Sequence, residues 1–124
     1  MSRKGFTLIE LVMIIVILGI LAAVAVPKYF DLQADAQAAA EKGVVGGVRA
    51  GIATYFAQNK AFPASLDAVA ASTACDESNP CFDTILGQGA VTEDWSKDGS
   101  GDYIGPTSTV YTYDGTDGSF LKVP

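Results

Sequence analysis

The sequence has no histidine, and its two cysteines stand six positions apart. This excludes a Ser-His-Asp or Cys-His arrangement, a histidine-based metal site and the C-x-x-C-H motif that attaches a c-type haem. We therefore expect neither an enzyme nor a bound cofactor. Positive charge is also scarce, with 8 basic against 14 acidic residues in 124. Such a chain repels phosphates, so no nucleic-acid partner is expected.

The apolar residues are concentrated near the N-terminus. Residues 11–26 carry no polar side chain, and Pro27 closes the run. The 21 residues from 6 to 26 rise roughly 31 Å as a helix, which matches the ~30 Å hydrocarbon layer of a membrane. Arg3 and Lys4 precede this segment and an acidic region follows it. The positive-inside rule then places the N-terminus in the cytoplasm and residues 28–124 outside.

Glu10 interrupts the start of this apolar stretch. A charge inside a spanning segment costs ~2.5–3.5 kcal/mol on insertion scales and usually has a partner and a role. The segment itself contains no basic residue. A cut between Gly5 and Phe6 would create an α-amino group one helical turn from Glu10, or within reach of the Glu10 of a neighbouring copy. The pattern therefore predicts assembly through this charge pair.

Two other interpretations of the same segment remain open. A cleaved secretory signal would have this basic start and apolar region, with Ala23-Val24-Ala25 as its cleavage site. Glu10, however, stands where the apolar region of such a signal should begin. A permanent single-span anchor would leave Glu10 without a role.

The order KGFTLIEL over residues 4–11, followed by the apolar run and Pro27, resembles the class III signal of type IV pilins and type II secretion pseudopilins. The resemblance implies that a membrane prepilin peptidase cuts after Gly5, removing residues 1–5, and N-methylates Phe6. It also implies that Glu10 is the assembly carboxylate and that Pro27 kinks the helix. The implied partners are further copies of the chain in a helical filament, a pilus or secretion assembly platform, and the inner membrane before assembly.

Beyond the spanning helix over residues 6–26, an amphipathic helical stem is expected over residues 27–60. An apolar stripe suited to lie on a sheet recurs there at spacings of 3, 4 and 3: Val45, Val48, Ile52 and Tyr55. Small residues also recur at four-residue spacing: Ala39, Gly43, Gly47 and Gly51. Neighbouring stems could approach closely along this strip, or the globular part could cover it.

Residues 61–124 are expected to form a small globular β-rich head. Ser65 is a candidate N-cap for a short helix over residues 66–71. An earlier strand is expected over residues 84–86 or 90–92. A clear hairpin pairs residues 109–113 with 119–123 across a turn rich in Asp and Gly. The predicted class is α+β, with one long N-terminal hydrophobic helix packed on a small C-terminal antiparallel sheet, as in the pilin fold.

Two small sites follow from the head sequence. Cys75 and Cys81 lie outside the cytoplasm in the predicted topology, where disulfides persist, so a bridge is expected in preference to a redox or metal pair. Asp98, Ser100 and Asp102 alternate as in a calcium loop, although the bidentate Glu of an EF-hand is missing. Some pseudopilins bind calcium in this general region. A solvated turn is the competing interpretation.

The function predicted is a structural subunit of a helical type IV pilus-like filament at the cell surface. One alternative is a major-type pseudopilin that forms a short periplasmic pseudopilus, although the residues around Trp95 match the Asp-Pro-Trp-Gly turn of that family only loosely. A second alternative is a secreted monomeric binding domain released by ordinary signal cleavage.

Overall fold

The computed structural model describes residues 5–124, so the first four residues of the expected leader lie outside the described residues. The chain falls into two compact units, one ending at Ala36 and the other covering Gln37–Pro124. A 52-residue helix, α1 (Leu8–Asn59), contributes to both units.

The first unit is the apolar part of α1. All of its described residues are exposed, and an 18-residue window of the helix reaches a mean hydropathy of 3.0. Among the described residues, α1 is the one helix long and apolar enough to cross a membrane. Pro27 lies inside the helix, which continues because the residues that follow are good helix formers. An exposed apolar surface of this extent needs lipid or protein to cover it.

In the second unit, one face of α1 is buried in the core. Val45, Val48 and Ile52 are between 0% and 6% exposed, and Tyr55 is half-buried at the edge of the same stripe. The stripe predicted from their spacing is confirmed for the first three residues. Burial of three branched apolar side chains stabilises the unit by roughly 1.5–3 kcal/mol each before the entropy of ordering them is counted.

The sheet of the second unit has four antiparallel strands in the order β1-β2-β3-β4. The strands are β1 (Ser96–Lys97), β2 (Tyr103–Ile104), β3 (Val110–Asp114) and β4 (Ser119–Lys122). A short helix, α2 (Asp83–Leu86), and a 3₁₀ turn (Gly87–Gly89) precede them. The long helix and small antiparallel sheet confirm the predicted α+β class.

Aromatic rings fill the space at the centre of the core. Phe82 is fully buried and contacts the rings of Trp95, Tyr103 and Phe120 at centroid distances of 5.6, 4.4 and 5.7 Å. Phe120 also stacks on Tyr111 at 5.4 Å. Edge-to-face and stacked pairs of this kind add about 0.5–1.5 kcal/mol each beyond the area they bury.

β4 is an edge strand, and one of its carbonyl groups has a partner on α1. The Nε–H of Arg49 donates to the Phe120 carbonyl oxygen at 3.0 Å. The neighbouring Leu121 side chain is 55% exposed, so the strand turns one apolar residue inward and the next outward.

The structure agrees with the predicted hairpin and differs over the shorter elements. β3 and β4 occupy residues 110–114 and 119–122, within one residue of the prediction. The short helix predicted over residues 66–71 is wrong, because the backbone there bonds to distant groups: the Leu66 carbonyl accepts the Thr84 N–H at 3.1 Å. Of the two positions predicted for an earlier strand, residues 84–86 lie in α2, whereas Val91 in the other makes an isolated antiparallel bridge with Cys81.

The hairpin turn packs on the segment that follows α1. Gly118 has φ +74°, and a Cβ atom there would overlap the Phe62 ring. Phe62 in turn stacks on Phe56 near the end of α1, with ring centroids 4.5 Å apart. Glycine at position 118 is therefore required twice, by the backbone conformation and by the close approach of the ring.

Replacing Gly118 by alanine should lower the free energy of unfolding by about 2–4 kcal/mol, because the added methyl group meets both a left-handed backbone and the Phe62 ring. The measurement is urea unfolding of the full chain in detergent, followed by near-UV circular dichroism. Gly46→Ala is the matched control, since Gly46 lies inside α1 with open space around it and should become more stable by ~0.5–1 kcal/mol. Equal effects of the two changes would contradict the packing argument.

Candidate functional site

The first candidate site lies at the start of α1. Phe6 is 80% exposed and precedes the helix, which begins at Leu8. An open groove of about 420 Å³ runs along the first turns and is lined by Phe6, Glu10, Met13, Ile14 and Ile17. Glu10 is the single ionisable side chain of this lining. The structure therefore brings Phe6 and Glu10 together on one apolar face, with Gly5 exposed just before them.

Glu10 also closes a reciprocal pair of hydrogen bonds with Thr7. The Thr7 N–H donates to Glu10 Oε2 at 2.9 Å, and the Glu10 N–H donates to Thr7 Oγ1 at 3.3 Å. This is a capping box, in which two of the unpaired donors at a helix N-terminus are satisfied. Sequence reasoning missed it, although Thr-x-x-Glu before an apolar run is the pattern that indicates one.

The capping box leaves half of the carboxylate available. Oε1 of Glu10 has no hydrogen-bond partner among the described residues, while Oε2 accepts from Thr7. A carboxylate accepts several hydrogen bonds at once, so a second donor can bind without displacing the Thr7 N–H. The site can therefore take an amine from outside the helix.

A second cluster is centred on Asp67, whose side chain is fully buried. Its oxygens accept the Tyr103 hydroxyl at 2.7 Å and the Lys97 ammonium at 3.2 Å. They also accept the backbone N–H groups of Val69 and Phe82, each at 3.0 Å. Burial, together with the Asp67 carboxylate, raises the pKa of Tyr103 above its usual range. The cluster ties four segments of the unit to one carboxylate, which gives it a structural role.

Phe82 occupies an unusual backbone conformation within that cluster. It has φ +63°, which is rare for a bulky residue, and it directly follows Cys81. The hydrogen bond from its N–H to Asp67 Oδ2 holds this conformation. The Asp67 carboxylate therefore positions the ring that contacts Trp95, Tyr103 and Phe120.

A third carboxylate, Glu41, projects from α1 into the second unit and is 3% exposed. It accepts the Tyr111 hydroxyl at 2.8 Å and the Thr107 N–H at 2.9 Å, and it also accepts the Thr107 hydroxyl. Burial alone would raise the pKa of Glu41, but these hydrogen bonds outweigh it and lower that pKa below its ordinary value. Burial and the same contact raise the pKa of Tyr111 to about 12. Glu41 thus joins α1 to the loop before β3.

The two cysteines form the predicted disulfide, with Cα atoms 5.5 Å apart. Both are buried, and each is next to or part of an isolated bridge, Ala74 with Ser96 and Cys81 with Val91. The disulfide therefore fixes the segment between α1 and the sheet. Nothing in its surroundings supplies the ligands of a metal site among the described residues.

Asp98, Ser100 and Asp102 lie in the turn between β1 and β2. Asp98 Oδ1 accepts the backbone N–H groups of Ser100 at 2.8 Å and Asp102 at 2.9 Å. The described residues contain no group of three acids, cysteines or histidines that could hold a metal ion. The alternation seen in the sequence has a sufficient explanation in closing this turn.

The strip of small residues divides in the structure. A Cβ at Gly51 would lie 3.1 Å from Ile85, so this glycine allows close packing within the second unit. Gly43 and Gly47 have open space instead. One end of the strip therefore serves the fold, and the other leaves room for an external surface.

Comparison with known proteins places the first candidate site within a known motif. Residues 1–26 match the family model described as the prokaryotic N-terminal methylation motif. The chain is 37% identical over 98 residues to a type IV major pilin protein of Neisseria gonorrhoeae, covering 78% of this chain and 46% of the relative. It is 32% identical over 98 residues to the type II secretion system core protein G of Pseudomonas aeruginosa, covering 79% and 62%.

A third relative is the type IV narrow pilus major component of Thermus thermophilus, 46% identical over 63 residues, which cover 51% of this chain and 54% of the relative. The chain therefore spans about half the length of the curated relatives it matches. No solved structure gives a significant match. The resemblance to type IV pilins and type II secretion pseudopilins is confirmed by the motif and by these relatives.

Replacing Glu41 by glutamine should lower the free energy of unfolding by about 1–3 kcal/mol at pH 7, because a charged acceptor of three hydrogen bonds is lost. Since the pKa of Glu41 is lowered in the folded chain, its contribution is present above the unfolded pKa and disappears as pH falls through the folded pKa. The difference between the two proteins should therefore shrink below the ordinary value of 4.5. Urea unfolding at a series of pH values measures it.

Glu93→Gln is the control for the Glu41 experiment, since Glu93 is exposed. It should change stability by no more than ~0.5 kcal/mol at any pH. A Glu41→Gln deficit that stays constant down to pH 3 would show that the lost charge is not the cause.

Proposed function

We propose that this chain is a structural subunit of a helical type IV pilus-like filament. A prepilin peptidase removes residues 1–5 and N-methylates Phe6, and the processed chain waits in the inner membrane. The subunit then polymerises through the apolar part of α1, which becomes the filament core. The relatives named as pilins and the methylation motif over residues 1–26 support this proposal.

The observation that carries the proposal is the placement of Glu10. Its carboxylate lies in the groove with Phe6, and residues 6–26 hold no other charged side chain. Among the described residues its Oε1 has no hydrogen-bond donor, so this oxygen can accept one from another chain. In hydrocarbon this charge costs ~2.5–3.5 kcal/mol on insertion scales. A methylated Phe6 amine of a neighbouring copy supplies a cation. The pairing sets the axial register and penalises an insertion that leaves Glu10 without its partner.

The surface of the second unit is compatible with ordered packing. After loss of Arg3 and Lys4 the chain keeps 8 − 2 = 6 basic against 14 acidic residues, a net charge of -8. A chain with this net negative charge stays soluble and resists random association. Gly43 and Gly47, with open space around them, allow neighbouring helices to approach closely.

A second candidate is a pseudopilin of a type II secretion system, favoured by the similarity to core protein G of Pseudomonas aeruginosa. It uses the same fold and the same Glu10 contact in a short periplasmic fibre. Long surface fibres that contain this chain would support the pilus, whereas secretion that depends on the chain without such fibres would support the pseudopilus.

Replacing Glu10 by alanine should leave processed protein in the membrane and reduce filaments more than about tenfold, because the charge that selects the neighbouring amine is gone. Glu10→Gln is the decisive companion, since glutamine keeps the capping box with Thr7 but removes the charge. It should also fail to assemble. Counts of sheared filaments by electron microscopy measure both, and normal filaments from Glu10→Gln would refute the charge pair.

N-terminal mass analysis of the mature chain should find a methylated phenylalanine at position 6. The peptidase acts at an exposed junction, since Gly5 and Phe6 both lie outside α1. Val26 as the first residue would instead identify an ordinary secretory signal cut after residue 25 and would refute the filament scheme.

A further inference from the structure

Two aromatic side chains just beyond Pro27 are left uncovered by the rest of the first unit. Tyr29 is 67% exposed and Phe30 is 62% exposed. Their rings meet edge to face, with centroids 6.3 Å apart and an interplanar angle of 71°. The proposed pairing of Glu10 does not involve them, and they contribute nothing to the core of the second unit.

The position of the pair along α1 places it at a definite depth. The helix continues through Pro27, so each residue adds ~1.5 Å of rise. The segment from Phe6 to Val26 matches the hydrocarbon thickness, and Tyr29 lies three residues farther on, or roughly 4.5 Å. The two rings therefore fall at the level of the lipid headgroups when residues 6–26 span the bilayer.

The charged residues that flank the aromatic pair also indicate that the hydrocarbon region ends there. Lys28 is the first ionisable residue after Glu10, and Asp31 follows the two rings. A lysine beside the hydrocarbon boundary extends its ammonium to the headgroup phosphates while its methylene groups stay in apolar surroundings. Tyrosine and tryptophan are enriched at this boundary, because their rings have one apolar and one polar edge, and Phe30 adds apolar ring surface beside Tyr29.

We propose that Tyr29 and Phe30 anchor the spanning helix at the outer surface of the membrane, with the phospholipid headgroup region as their partner. This rests on the proposed function, because it requires residues 6–26 to span the membrane before assembly. Since α1 is continuous, an anchor at Tyr29 also fixes the depth of Leu8, 21 residues earlier and roughly 32 Å away along the axis, and with it the nearby Phe6. The anchor thereby holds the Gly5–Phe6 junction at the opposite surface, where the peptidase must reach it.

The test measures the depth of residue 30 with a tryptophan reporter. Full-length Phe30→Trp chain is reconstituted into phosphatidylcholine vesicles brominated either near the headgroup or near the chain ends. The signal of the parent chain, whose single tryptophan is the buried Trp95, is subtracted. Emission from the introduced tryptophan should be quenched roughly twofold more by the shallow bromine than by the deep bromine.

Phe56→Trp is the matched control, because Phe56 is also a partly exposed phenylalanine on α1 but belongs to the second unit. Its emission should be insensitive to bromine depth. Stronger quenching of Phe30→Trp by the deep bromine, or equal quenching in the two variants, would overturn the anchor. If the introduced tryptophan becomes less quenched by bromine as the protein-to-lipid ratio rises, a second copy of the chain covers it. That result would also overturn the anchor.

Resistance to carbonate extraction separates this proposal from the function on which it rests. A Phe30→Trp chain that resists extraction but shows no shallow quenching refutes the anchor alone. Release of both the parent chain and the variant by carbonate would refute the spanning helix, and with it both proposals.

Discussion

When a carboxylate is removed from water, protein N–H or O–H groups must replace the hydrogen bonds that water donated to it. Three acidic side chains of this molecule are subject to that constraint. Glu10 meets it with the Thr7 N–H in the first turn of α1. Among apolar neighbours a carboxylate without donors is costly, and the capping box satisfies only one of its oxygens. The unsatisfied half creates the demand for a partner that a second copy of the chain is proposed to supply.

The same constraint governs the second unit. Glu41 and Asp67 are both buried, and both are surrounded by N–H and O–H donors from segments far apart in sequence. Glu41 connects α1 to the loop before β3, and Asp67 connects the segment after α1 to the residues around Phe82 and to β1 and β2. The two acids therefore join segments of the small core that are far apart in sequence.

The sequence predicts the features that depend on a local residue pattern or on the side of the membrane where a segment lies. The spanning helix follows from one apolar run, the β3–β4 hairpin from turn residues between β-branched arms, and the disulfide from the topology. The roles of Glu41 and Asp67 could not be predicted, because nothing local distinguishes a buried acid from the many exposed ones. The helix predicted over residues 66–71 is wrong partly for the same reason, since the Leu66 carbonyl accepts the distant Thr84 N–H while the Asp67 side chain accepts the Val69 N–H. The capping box could have been predicted, because Thr7 and Glu10 have the Thr-x-x-Glu spacing that indicates one.

The contact between Arg49 and the Phe120 carbonyl has a consequence for crowded fibres. An edge strand with free backbone groups invites another chain to add to it, and a polymer holds many identical edges at high local concentration. The guanidinium occupies an outward carbonyl of β4, and the strand is only four residues long. In the proposed fibre, this contact would discourage neighbouring heads from adding strands to one another's sheets, and the order along the fibre would depend on the helices.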